Sequence, residues 1–336
     1  MKRVLALILV LTLLSGCAKT GGPCQATWLD LFDTVTTVTG YGLGQAEFQT
    51  QAQAIHDALL EYHQLFDIYG DYPGIQNLKT VNDKAGLEPV TVDKRIVELL
   101  LDCRAYREVS GGKVNAAMGS VLSLWHEART LALEDPERAR LPDRDALEEA
   151  SAHTDFDRVV IDAEASTVFI TDPDLRLDVG AVAKGWAVER VARELPEGLL
   201  LNVGGNIRAT GPKDEKGTPW VVGIRNPEGE DYLDTLEITG GSVVTSGDYQ
   251  RTYTVNGVSY HHIIDPDTRM PAAYWRSVTV VCPDSGLADF LSTALFLLPQ
   301  QEGQALLDRY GARAMWVSAD GSRFYSTGFE TPTGTP

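Results

Sequence analysis

Four short stretches carry residue types that could handle a phosphorylated ligand. In "LDVGAVAKG" (177–185), Asp178 stands where an extended run gives way to a helix, and Lys184 sits on the first helical turn. The free N–H groups and dipole of a helix start favour anions, so a cation there is locally opposed. Pairing Lys184 with a phosphate would reverse that disadvantage, and a capped surface helix with a solvated lysine is the plain alternative. In "ADFLSTAL" (288–295), Asp289 and Thr293 are four residues apart on one face of a nearly all-apolar helix. A carboxylate buried there needs a partner, and a carboxylate with a hydroxyl one turn away suits Mg²⁺, a hard cation that takes oxygen ligands. A salt-bridged Asp and a helix-internal Thr are the plain alternative. "YHHIIDP" (260–266) offers two adjacent histidines, one of which can face a pocket as a base. "NAAMG" (115–119) supplies small residues before a helix, where backbone can approach a flat or charged ligand closely.

The elements that must position these residues read as α+β, with largely antiparallel sheets and packed helices. "DTVTTVTGYG" reads as the first strand, 45–65 as a helix, and 89–113 as a short strand and a helix closed by Gly111-Gly112. The charged stretch 127–150 reads as a surface helical excursion without chemistry. From Asp157 onward short strands dominate, with "LRLDVG" taken as one of them and one long helix at 181–195. Asn256-Gly257 signals a two-residue type I′ hairpin, which places Val255 opposite Val258 and, counting outward, Arg251 opposite His262. The same strand would turn His261 and His262 to opposite faces. A strand at 277–282, a helix at 285–298, and a final helix and strand complete the pattern.

The chain has 336 residues, with 29 Lys plus Arg against 47 Asp plus Glu, a formal charge of −18. A phosphate-backbone partner such as nucleic acid is repelled by that balance. Met1-Lys2-Arg3, an apolar run to Leu14 and "LSGC" form the pattern of a lipoprotein signal peptide over 1–16, with Cys17 as the lipidation site. Two or more acyl chains would anchor it stably. Residues 17–27 then read as a tether, 28–326 as one catalytic-size domain and 327–336 as a disordered tail. Cys24 falls in that tether, while Cys103 and Cys282 lie in apolar patterns as small core residues, and no spacing among them suggests a metal site.

Taken together, "FDTVTTVTGYG", "GGKVNAAMGSVLSLW", "LDVGAVAKGWAVERVA", "LLNVGGNIRATG", "VVTSGDYQRTYTVNGVSYHHIIDPDTRMPA" and "SVTVVCPDSGLADFLSTALF" resemble the ApbE family of flavin transferases. The resemblance implies cleavage of FAD at its pyrophosphate with Mg²⁺, attachment of FMN to a Thr or Ser of an acceptor protein, and release of AMP. It implies metal ligands from Asp289, Thr293 and the Ala181 backbone carbonyl, and His262 as the base with His261 turned outward. It implies FAD contacts from Phe32, Tyr69, Ala117, Met118, Gly119, Asp178 and Lys184, with Val278 as a backbone contact. It also implies a lipid-anchored protein on the extracytoplasmic side of a bacterial membrane, and an acceptor that is a redox protein nearby. Ala181 stands where many members have glycine, Trp186 where many have tyrosine, and Asn206 where aspartate is frequent. The residues alone leave open a Mg²⁺-dependent FAD pyrophosphatase and a non-enzymatic flavin-binding lipoprotein.

Overall fold

The computed structural model describes residues 22–229 and 231–330. The expected signal peptide, Cys17 and the end of the expected tail lie outside them. In chain order the elements are β1 (Cys24–Leu31), β2 (Thr34–Gly40), α1 (Gln45–Phe66), α2 (Leu78–Asp83), β3 (Val90–Thr91), α3 (Lys94–Val109), α4 (Gly119–Glu134) and α5 (Arg144–Ser151). They continue with β4 (Val159–Asp162), β5 (Thr167–Ile170), α6 (Ala183–Ala192), β6 (Leu199–Val203), β7 (Asn206–Ala209), β8 (Trp220–Arg225), β9 (Tyr232–Ile238) and β10 (Gly241–Gly247). The last are β11 (Tyr253–Val255), β12 (Val258–Tyr260), β13 (Ser277–Cys282), α7 (Ser285–Phe296), α8 (Gln300–Tyr310), β14 (Arg313–Val317) and β15 (Arg323–Tyr325).

The architecture is α+β. Eight strands in the order β1-β2-β6-β7-β10-β13-β14-β15 form one sheet in which every pairing is antiparallel. The main core, which includes Phe48, Ile55 and Leu59 of α1, Trp186 and Val188 of α6 and Phe290, Leu291 and Leu295 of α7, packs these helices with the sheet. The β8–β9 hairpin contributes Trp220, Val222 and Leu236 to a second core with Met315 and Val317 of β14. A third cluster joins Val121 and Trp125 of α4 to Tyr253 and Val255 of the β11–β12 hairpin. Because α7 is apolar on nearly all sides, only a position against both the sheet and α6 can bury it.

The α6–α7 crossing depends on glycine. A Cβ at Gly185 would lie 2.3 Å from the Ser285 carbonyl oxygen and 2.4 Å from Asp289 Cβ, so no side chain fits without moving one helix. Gly185→Ala is expected to destabilise the fold by about 1–3 kcal/mol through overpacking and to displace Asp289. A wild-type chemical denaturation midpoint in that variant would show that the crossing yields freely.

Four expectations are corrected. A strand, β1, precedes the one read as first, and it begins at Cys24, inside the stretch read as tether. "LRLDVG" joins no sheet. Its backbone is held instead by the Asn82 side chain, which bonds the Leu177 N–H and carbonyl at 2.7 and 2.9 Å, and by Arg176 carbonyl to Gly119 N–H and Asp178 N–H to Ala116 carbonyl. The helix that follows starts at Ala183, so Gly180 and Ala181 form the turn ahead of it. The hairpin ladder ends at Tyr253 opposite Tyr260, so Arg251 and His262 are not ladder partners and neither histidine lies in a strand.

Candidate active site

One cleft collects residues from widely separated places in the chain. It is lined by Asp178 and Ala181 before α6, Lys184 on α6, Asp289 and Thr293 of α7, Thr245 and Ser246 of β10, His126 and Arg129 of α4, and Arg251 and His262 around the hairpin. Asp289 is 4% exposed, and its Oδ2 accepts the Gly185 N–H at 2.8 Å, a bond that the bare glycine permits. Lys184 Nζ stands 3.7 Å from the same oxygen and donates to the Gly180 carbonyl at 3.1 Å. Burial pushes the Asp289 carboxyl up from its usual range, with the Lys184 charge pulling the other way. Asn206 at the adjoining end of β7 is 2% exposed, and its Oδ1 is buried without a hydrogen-bond partner among the described residues. A carboxylate, a threonine hydroxyl, a peptide carbonyl and an orphaned amide oxygen make a hard-oxygen set, which fits Mg²⁺. Ala181 carries a side chain where glycine is common, and its φ is not in the left-handed region, so the methyl imposes no backbone strain on its carbonyl.

Asp178 caps its own turn, accepting the Gly180 N–H on Oδ1 at 2.8 Å. Burial raises its pKa, and Arg251, His126 and Lys184 act against that, yet none is within ion-pair distance. A ligand hydroxyl or amide donor can therefore meet the carboxylate without displacing an internal partner.

The two histidines separate cleanly. His261 is 9% exposed, its Nε2–H donates to the Ala272 carbonyl at 2.9 Å, and its Nδ1 accepts the Ile263 N–H at 3.2 Å. Both ring nitrogens are used inside the protein, so His261 is buried in the cleft wall, not turned outward as expected. His262 has one side open to the cleft. Its Nδ1 lies 3.2 Å from the Gln250 carbonyl, which only accepts, so Nδ1 carries the proton and Nε2 keeps a lone pair. The surrounding protein, followed by Arg251 and Lys184, holds its pKa below the ordinary imidazole range. A neutral ring with one free nitrogen is the form that can take a proton.

The remaining expected residues divide into those at the cleft and those behind it. Met118 lines it, and so does Tyr69, whose ring stacks on His126 at 4.8 Å and 24° and whose phenol is pushed up to about 12 by burial. Ala117 and Gly119 do not line the cleft. Ala117 is fully buried, and a Cβ at Gly119 would meet the Arg176 carbonyl at 2.5 Å, so they act by seating the Asp178 segment. Phe32 stands beside the cleft at φ +52°, its carbonyl accepting from Arg251 at 3.2 Å and its N–H donating to His63 Nδ1. Val278 does not reach the cleft. It is fully buried in β13, between Ser246 of β10 and Trp316 of β14, where the two ladders occupy the strand from both sides.

The sequence reading passed over His126, just before the stretch assigned no chemistry, and Arg129 within it. Arg129 lies 3.2 Å from His126 Nδ1, is half-buried, and is held below the usual guanidinium range by burial and by Arg251. The available signal was spacing: with Leu122 and Trp125 they continue the apolar stripe of α4, where a solvated face would have excluded them.

A model of the ApbE family matches residues 32–316. The chain belongs to the ApbE family. Among its relatives, the FAD:protein FMN transferase of Treponema pallidum is 37% identical over 263 residues, covering 72% of this chain and 71% of that one. The FAD:protein FMN transferase of Klebsiella pneumoniae is 32% identical over 68% of this chain and 70% of its own. Among solved structures, the ApbE protein of Thermotoga maritima is 29% identical, with a TM-score of 0.79 over 92% of this chain and 97% of that chain. The Vibrio cholerae flavin transferase ApbE, 24% identical with a TM-score of 0.75 over 92% of this chain and 99% of that one, shares the ApbE fold.

Proposed function

We propose that this ApbE-family chain is a Mg²⁺-dependent FAD:protein FMN transferase. The observation that carries the reading is the shared cleft, with an oxygen-rich pole at Asp289, Thr293 and the Ala181 carbonyl and a base with a free Nε2 at His262. The names of the relatives at 37% and 32% identity point to the same reaction. Mg²⁺ bound at that pole would neutralise phosphate charge and polarise phosphorus. Asp289, Thr293 and the Ala181 carbonyl would hold it, Lys184 would pair with phosphate oxygen, and Asp178 would receive a donor from FAD. His262 Nε2 takes the proton from the acceptor Thr or Ser hydroxyl as its oxygen bonds to the FMN phosphorus. The bond from that phosphorus to the bridging oxygen breaks, and the oxygen leaves with AMP.

The direct test incubates the protein with FAD, Mg²⁺ and a candidate acceptor and weighs the acceptor by mass spectrometry. The expected result is a covalent FMN adduct with stoichiometric AMP. AMP without adduct would make the chain a pyrophosphatase, and FAD binding with neither product would make it a carrier. We also propose, on "LSGC" and the basic-apolar run before it, that Cys17 is lipidated and holds the domain on the extracytoplasmic face of a bacterial membrane, near a redox-protein acceptor. Cys17→Ser should release the protein from the membrane fraction, and unchanged fractionation would remove the anchor.

A further inference from the structure

Lys184 makes two contacts that its phosphate-pairing role in the transferase reading does not explain. Its ammonium donates to the Gly180 carbonyl at 3.1 Å and stands 3.7 Å from Asp289 Oδ2. Gly180 is the residue next to Ala181, whose carbonyl is assigned to the metal, and Asp289 is the assigned carboxylate. No other Lys, Arg or His among the described residues lies within ion-pair distance of Asp289. The Asp289 side chain is 6% exposed and that of Lys184 23%, so the carboxylate is shut in while the lysine keeps a route to the cleft. A buried carboxylate that stays ionised is stabilised by a nearby compensating charge. A lysine supplies one on a four-carbon stem that can rotate away.

We propose that Lys184 is a placeholder cation: its ammonium compensates Asp289 in the ligand-free protein, facing the same Oδ2 that the divalent-ion pole would offer a metal, and must move off before a metal binds. The inference rests on the Mg²⁺ reading of that pole. Two cations against one carboxylate repel, so metal alone meets a competitor built into the site. FAD removes the competition by giving the ammonium a phosphate to pair with. Metal and FAD then strengthen each other's binding, and by linkage each does so by the same factor. The same lysine thereby serves first as a stand-in for the metal and afterwards as a phosphate contact.

The test is Mn²⁺ binding to the nucleotide-free protein, followed by the electron paramagnetic resonance of free Mn²⁺. Lys184→Met keeps the stem and removes the charge, and it is expected to bind Mn²⁺ about tenfold more tightly than wild type, within the usual range of coupling between sites. Lys184→Arg keeps a charge and is expected to stay weak. Lys184→Gln repeats the neutral case should the methionine variant lose its thermal transition. Equal or weaker Mn²⁺ binding in the neutral variants would overturn the placeholder role while leaving the metal reading intact. Mn²⁺ binding that survives Asp289→Asn in both the wild-type and Lys184→Met backgrounds would overturn the metal reading and this inference with it.

Discussion

Asp289→Ala is expected to lower FMN transfer by about three orders of magnitude or more at ordinary Mg²⁺, since a metal that stabilises phosphoryl charge contributes several kcal/mol and each tenfold is worth about 1.4 kcal/mol. The size follows from the surroundings of the carboxylate. It is the buried acid of the pole, and the Thr293 hydroxyl and Ala181 carbonyl that remain are neutral dipoles. The substitution also deprives the Gly185 N–H of its acceptor, so part of any loss could come from the α6–α7 contact. Asp289→Asn separates the two effects, because its amide oxygen can still accept from Gly185 while the formal charge is gone. Transfer rates of both variants against Mg²⁺ concentration, with circular dichroism as the check on folding, decide the matter. Full activity in either would remove Asp289 as the metal carboxylate.

His262→Ala is expected to leave FAD affinity within a few-fold of wild type and to slow single-turnover transfer by about 10²–10⁴, the usual worth of a positioned base. Its pH behaviour gives a second readout. Desolvation, Arg251 and Lys184 lower the pKa of His262, so the neutral, proton-accepting ring persists below about 6.5, the ordinary imidazole value. The acid limb of transfer in wild type should therefore lie below that pH. The same shift favours folding above the unfolded-state value and loses that contribution as pH falls from there toward the folded-state value. Unchanged transfer in the alanine variant would remove His262 as the base.

Sequence periodicity located most of the fold because helices such as α1 and the strands of the large sheet bury their faces in simple repeats, and α7 stood out as a long apolar run. It misread "LRLDVG" because an extended apolar run looks the same whether its partners are strands or, as here, the Asn82 side chain and the start of α4. That Asp289 and Thr293 share one face, which the structure turns to the cleft, was legible from spacing on one helix. The parting of His261 from His262 was legible only as a choice between two faces, and the chain takes it outside any strand through the contacts with Ala272 and Gln250. His126 and Arg129 stayed hidden because the charges around them resemble a solvated helix until the hairpin is seen to cover that side. Val278 shows the reverse error: a family-like position next to a site can lie in the sheet beneath it.

The hydrogen bond from the Gly185 N–H to the Asp289 carboxylate makes one jaw of the cleft a welded joint between two helices, whereas the opposite jaw carries His262 on irregular chain. That second jaw is moored at its base by Lys113, which pairs with Asp265 at 3.0 Å and Asp267 at 2.7 Å. Phosphate chemistry tolerates little misplacement, while a protein acceptor must be admitted in bulk. Lineages that change acceptors are thus expected to vary the hairpin jaw and leave the welded one alone, so that partner choice can drift without retuning the metal pole.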